Sequence, residues 1–167
     1  MANSLIRIIG IDPGLRRTGW GLVGVEGSRL TYFACGAVVA DADAPMAERL
    51  AYILAEVSAL VGEHAPDEAA IEETFINRDP QSALKLGQAR GVAMAALAAK
   101  GLSVAEYSAN VVKKTVVGAG HADKSQIAMM VKILLPASGA NSADAADALA
   151  VAICHAQHRA ARLRGAA

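Results

Sequence analysis

LIRIIGID at residues 5–12, closed by Pro13-Gly14, is a short apolar run rich in β-branched side chains that ends in a turn signal, so it reads as a β-strand. GWGLVGVE at 19–26 and RLTYFACGAVVA at 29–40 read as two further strands around a Gly-Ser turn, and the chain opens on a β-meander. From Pro45 the period changes. Met46, Leu50, Ile53, Leu54, Val57, Leu60 and Val61 recur at three- and four-residue spacing, with Glu48, Glu56 and Glu63 elsewhere on the wheel. That pattern predicts an amphipathic helix with Pro in its first turn. EAAIEE at 68–73, between Pro66-Asp67 and a polar loop, is expected to be a buried strand, and LSVAEY at 102–107 another. Helices are expected over 82–100, stopped by Gly101, and over 108–117, 124–135 and 143–163. Strands followed by alternation with helices make an α/β fold.

The length fits one domain with a real core. Of the 167 residues 54% are hydrophobic, and much of that share is alanine, which suits helix surfaces and close helix packing. No repeat or linker divides the chain, so residues 1–167 are expected to form a single domain, with 158–167 as a flexible C-terminal tail. Leu30 to Ala40, an uncharged apolar stretch near the start, spans 11 residues, against the roughly 18–20 needed to cross a bilayer. The run before it is interrupted by Arg7, Gly10 and Asp12 and lacks a cleavage site, so no signal peptide is expected. Cys35 and Cys154 lie far apart without CxxC partners, which argues against a zinc site or disulfide framework and for a reducing cytoplasm, with no membrane partner.

Sixteen basic and sixteen acidic residues cancel, which argues against gripping nucleic acid or a membrane by bulk charge. The cancellation is uneven: residues 30–77 hold one basic and nine acidic side chains, and residues 78–132 eight basic and three acidic.

Several acids stand where chemistry is done. Asp12 ends an apolar strand just before Pro-Gly, at the kind of terminus where open α/β sheets place ligands. Glu72 ends the run Ala69-Ala70-Ile71, where a carboxylate is awkward without a positive partner, and spacing alone does not separate it from Glu73. Asp144 and Asp147, three apart in SADAADALAVA, share a helix face near its start, where the helix dipole favours anions; simple capping is the bland alternative. Small neighbours, Ala145, Ala146 and Ala148, allow close approach to another element. Four carboxylates from three elements suit one or two hard divalent cations, Mg2+ or Mn2+, and two such ions can clamp both oxygens of an in-line phosphoryl displacement. GAGHADKS at 118–125 superficially matches a phosphate loop, but Asp123 stands before Lys124 where that motif requires Gly, so no nucleotide site is expected there.

Taken in order, GIDPG at 10–14 with Thr18-Gly19, AIE at 70–72, SALKLGQARG at 82–91, KKTVVG at 113–118, DKSQ at 123–126 and DAADALAVAICH at 144–155 resemble the RuvC family of bacterial Holliday-junction resolvases. The resemblance runs over roughly residues 6–158. It implies a ribonuclease H-like fold, a five-stranded mixed β-sheet flanked by α-helices, working as a homodimer. It implies Asp12, Glu72, Asp144 and Asp147 as catalytic metal ligands, choosing Glu72 over Glu73. Two Mg2+ ions per site are implied, with Mn2+ able to substitute; an activated water attacks the scissile phosphate and leaves a 5′-phosphate. The substrate implied is four-way junction DNA in recombination and repair, with RuvA and RuvB as the branch-migration partners.

Lys113 and Lys124 match basic positions that the family uses near the active site, and Phe75 matches a loop aromatic suited to stacking on or wedging between bases. Arg78 keeps a positive charge in that loop, though Asp79 adds a negative one where family members commonly carry Asn. Asn110 stands where Arg is frequent, and His121 where Arg or Ser is common. Ala83, Gly87, Gly91 and Ala95 fall at four-residue intervals along one helix face, fitting either close packing on the chain's own sheet or a two-fold contact with a second copy. His155 and His158 are expected to complement a helix C-terminus, and Cys35, Cys154 and Trp20 to pack. Two divalent ions would offset the four carboxylates, so a net charge of zero describes the ion-free chain.

Overall fold

The structure, a computed structural model, describes residues 4–74, 79–139 and 142–165. Phe75 and Arg78 lie outside the described residues. Strands β1 (Ile6–Asp12), β2 (Arg17–Glu26) and β3 (Arg29–Val39) form the opening meander. They are followed by α1 (Met46–His64), β4 (Glu68–Glu72), α2 (Pro80–Ala99), β5 (Val104–Tyr107), α3 (Ala109–Val117), α4 (Lys124–Leu134) and α5 (Ala143–Gly165).

The five strands make one mixed sheet in the order β3-β2-β1-β4-β5. β1 runs antiparallel to β2 and parallel to β4, which is parallel to β5. Period-2 alternation sends each strand's apolar residues to two cores. Ile8, Val23 and Ala70 face the layer of α3, α4 and α5, whereas Ile9, Ile11, Leu22, Ala69 and Ile71 face α1 and α2.

Glycines let α5 lie unusually close to the sheet. A Cβ on Gly10 would overlap the Ala148 carbonyl, one on Gly21 would stand 2.7 Å from Leu149, and one on Gly19 would overlap the Asp144 backbone. Gly10 and Gly21 are cross-strand partners, so the seam is continuous across β1 and β2. Ala148 and Ala152 supply the matching small side chains on the helix.

Helix starts are capped by the chemistry their sequences carry. Ser108 caps α3, and Asp123 with Gln126 forms a reciprocal capping box on α4. Asp79 caps α2, its carboxylate accepting from Gln81 N at 3.1 Å and from Ser82, and these bonds hold its pKa below the ordinary carboxylate value. The residue that departs from the family pattern thus has a local structural job.

Helix α5 runs on to Gly165, into the segment expected to form a tail, and Arg159 within it donates to Glu68 at 2.6 and 3.1 Å. The expected dipole role of the two histidines is corrected by the structure. His155 is buried between Tyr107, 2.9 Å from Nδ1, and Glu68, 2.9 Å from Nε2. His158 lies 2.9 Å from the Thr115 hydroxyl and beside the Tyr107 ring. Both sit before the last turns of α5 and serve its attachment to neighbouring elements. Cys154 is buried, its thiol pushed up to about 11 by burial, and Trp20 stacks on His64, so both act in packing.

Candidate active site

Alternation in the strands decides which acids meet. Along β1, Ile8, Gly10 and Asp12 point to the α5 side; along β4, Ala70 and Glu72 do. Ile11 pairs with Ile71, so Asp12 and Glu72 follow as neighbours at the carboxyl ends of two adjacent parallel strands. That is the edge where such sheets bind ligands. Glu73 follows the end of β4, one residue out of phase, with its N–H given to the Tyr107 carbonyl at 2.8 Å.

Asp147 arrives on α5 across the glycine seam. A cavity of about 190 Å3 is lined by Asp12, Glu72, Asp147, Lys113 and Lys124, with Val112, Ile127 and Ala150 among its apolar walls. A second cavity of about 460 Å3 shares Asp12, Glu72 and Lys113, is also lined by Glu73, and extends past Pro13 and Asn110 to Leu86 on α2. Together they form a groove across the strand ends. Asp144, one turn before Asp147, stands at the side of the first cavity against Arg17, Nε to Oδ2 2.6 Å.

The electrostatics follow from four acids in a partly closed space. Burial, then the Glu72 and Asp147 charges, push Asp12 up to about 7. Burial and Asp147 push Glu72 up to about 6, opposed by Lys113 and Lys124. Lys124 is the first residue of α4, placed by the capping box, and its ammonium lies 3.3 Å from Asp147 Oδ2. Its pKa is raised, chiefly by the charge of Asp147 and the hydrogen bond to it.

The donor set is all hard oxygen, which fits a divalent cation of the Mg2+ type. The raised values of Asp12 and Glu72 mark a site short of positive charge, which a cation would reverse. Among the described residues no three acidic, His or Cys side chains stand grouped closely enough to hold a metal ion as they are. Asp147 and Asp144 are instead engaged by the chain's own cations, Lys124 and Arg17.

Of the residues singled out by sequence, Asp12, Glu72, Asp147, Lys113 and Lys124 share one cavity and Asp144 stands beside it. Asn110 borders the groove, whereas His121 is exposed on the turn before α4. Arg17 is not marked in the sequence, since one member of the Arg16-Arg17 pair after a turn carries no motif that sets it apart. Among the described residues no helix is long and apolar enough to cross a membrane.

Residues 8–155 match the family model for RuvC, crossover junction endodeoxyribonuclease. A crossover junction endodeoxyribonuclease RuvC of Azorhizobium caulinodans is 61% identical over 168 residues, covering 100% of this chain and 99% of the relative. The corresponding protein of Methylocella silvestris is 63% identical, covering 97% of this chain and 92% of its own length. Among solved structures, Thermus thermophilus RuvC in complex with Holliday junction substrate superposes with a TM-score of 0.86 at 34% identity, covering 95% of this chain and 96% of that one.

Proposed function

Because the chain belongs to the RuvC family of crossover junction endodeoxyribonucleases and is a nuclease, we propose that it resolves four-way DNA junctions by paired symmetric nicks. The nicks leave ligatable 5′-phosphate ends, the ions used are Mg2+ or Mn2+, two per site, and the setting is recombination and repair in the cytoplasm. The observation that carries this reading is the meeting of Asp12 and Glu72 at adjacent strand ends with Asp147 from α5, two lysines at the same cavity. The match to a relative solved with a Holliday junction supports the substrate.

When bound, divalent ions supply Lewis acidity, lowering the pKa of a water and neutralising charge that develops on the phosphate. Asp12, Glu72, Asp144 and Asp147 hold the ions, and as ligands they do not attack the phosphate themselves. Lys113 and Lys124 present ammonium groups to the strand at the mouth of the cavity, where they contact phosphates. Phe75 and Arg78 are the further DNA-binding residues of this reading, the first suited to stacking on or wedging between bases and the second to contacting phosphates.

Among the described residues no atom outside the helix's own backbone comes within 4 Å of where a Cβ on Gly87 or Gly91 would stand, so these two positions of the stripe on α2 do not pack on the chain's own sheet. A homodimer with α2 at its two-fold would use that stripe and present one active site to each of two opposed strands. RuvA and RuvB are the branch-migration partners that the family resemblance implies.

The test is incubation of the purified protein with a synthetic mobile four-way junction, with and without Mg2+, mapping both incisions. Paired, symmetric, Mg2+-dependent nicks are expected. Incision of structured RNA in preference to the junction, or cutting that persists in chelator, overturns the reading.

A further inference from the structure

The backbone at Arg17 is held where β2 leaves the first turn. A Cβ on Gly14 would overlap the Arg17 carbonyl, and the Thr18 hydroxyl donates to the Gly14 carbonyl at 2.7 Å, closing the turn tightly. Arg17 also pairs with Val39 in the sheet. Along β2, Arg17, Gly19 and Gly21 share the face turned to α5. Gly19 admits the Asp144 backbone, and Arg17, one step along the same face, reaches the Asp144 carboxylate, Nε to Oδ2 2.6 Å.

This pair differs in kind from a buried structural bridge. Its two side chains are 44% and 30% exposed, so solvent and ligands reach both. A guanidinium meets carboxylate and phosphate with the same planar fork of donors, so either anion can hold it. A carboxylate shared with a guanidinium is also a poorer ligand for a divalent cation, since both compete for the same oxygens.

We propose that Arg17 is an exchangeable counter-ion: it holds Asp144 in the ion-free protein and, when a divalent cation takes that carboxylate, turns to a phosphate of the entering DNA strand. The proposal rests on the metal-dependent nuclease reading above, with Asp144 as a ligand. It couples loading of the site to grip on DNA: the protein without metal neutralises its own acid, and the loaded protein gains one phosphate contact.

The test has two readouts besides cleavage. The first is calorimetric titration of Mn2+ into DNA-free protein. Arg17→Ala is expected to bind Mn2+ about two- to five-fold more tightly than the parent, the span of an exposed ion pair. The second is the affinity for a synthetic four-way junction over a salt series, in EDTA and in Ca2+. In EDTA the variant is expected to match the parent. In Ca2+ it is expected to bind about two- to five-fold more weakly, with a salt slope shallower by about 1. Arg17→Gln keeps the stem and should reproduce both effects, whereas Arg17→Lys should restore most of the junction affinity. Unchanged Mn2+ affinity in Arg17→Ala, or a loss of junction affinity equal in EDTA and Ca2+, overturns the proposal. Asp144→Asn separates it from the reading beneath. If that variant binds Mn2+ like the parent, the ligand assignment fails; if it binds Mn2+ more weakly while Arg17→Ala is silent, only the counter-ion role fails.

Discussion

At the scale of single residues the site is governed by charge held in too little water. Asp12, pushed up to about 7, and Glu72, pushed up to about 6, both carry protons through the mildly acidic range. A divalent cation takes only the ionised forms, so loading releases protons and apparent metal affinity falls as pH drops through these values. Metal titration near pH 6.5 in two buffers of different ionisation enthalpy should therefore give different heats; identical heats would contradict the shifts. The sign for folding is the opposite of the usual carboxylate case. The native state holds these protons more tightly than the unfolded chain, so the ion-free protein loses stability from these two groups as pH rises from about 4 to about 7. The rise in Tm on adding Mg2+ should accordingly be larger at pH 8 than at pH 5.5. Asp147→Asn should lower cleavage by about 10²–10³-fold, the worth of several kcal/mol of lost charge stabilisation, while junction binding persists. An Asp147→Asn protein that cuts at the parental rate would remove this residue from the ligand set.

At the scale of elements, the position of α5 is what assembles the site. The glycine seam sets its height above the sheet, and the Glu68 cluster fastens its far half. A Cβ at Gly10 meets backbone, including Ala152 N at 2.6 Å, so the helix and not a side chain must give way. Gly10→Ala should cost about 1–3 kcal/mol in denaturant unfolding, in the range of overpacked cores. At the other anchor, the Glu68 carboxylate can only accept, so His155 Nε2 carries a hydrogen toward it, and Arg159 completes the clamp. Arg159 and His155 hold the Glu68 pKa below its ordinary value. Its contribution is therefore full above the ordinary carboxylate range and is lost as pH falls through the lowered value. Glu68→Gln should destabilise by about 1–3 kcal/mol at pH 7, and in urea titrations the gap to the parent should narrow as pH falls below the ordinary carboxylate range. A constant gap would assign the loss to packing.

At the scale of the whole molecule, an overall charge of zero conceals an acid-rich segment followed by a base-rich one. Glu72 of the first segment faces the cavity with Asp12 and Asp147, and Lys113 and Lys124 of the second border the same space. The outward stripe on α2 bears on assembly. Gly87 sits mid-helix with open space before it, so Gly87→Ala should stabilise the monomer by up to about 1 kcal/mol through helix propensity alone. In a homodimer closed along this stripe the same methyl stands between the two copies. Sedimentation should then show weaker association, and junctions should gather single nicks in place of paired ones. Sedimentation and nicking like the parent would move the dimer contact elsewhere.

The order and type of the elements were legible in the sequence, because they rest on local causes: period-2 runs for β1 to β3, the three- and four-residue spacing of α1, and the Asp123 start of α4. The acids were legible as acids at the ends of elements. Their meeting was not, since it depends on one-residue phase in two strands and on how closely α5 lies over Gly10, Gly19 and Gly21. Glu72 and Glu73 differ by one step: the register of β4 against β1 brings the first beside Asp12 in the first cavity, whereas Glu73, past the end of β4, borders only the second. Arg17 reaches Asp144 across 127 residues of chain, and His155 reaches Glu68 across 87. Contacts of that span leave no periodic trace. Local periodicity and capping therefore determined what each segment is, and tertiary packing decided which charges face one another, because Coulomb and hydrogen-bond energies depend on distances that sequence spacing does not encode.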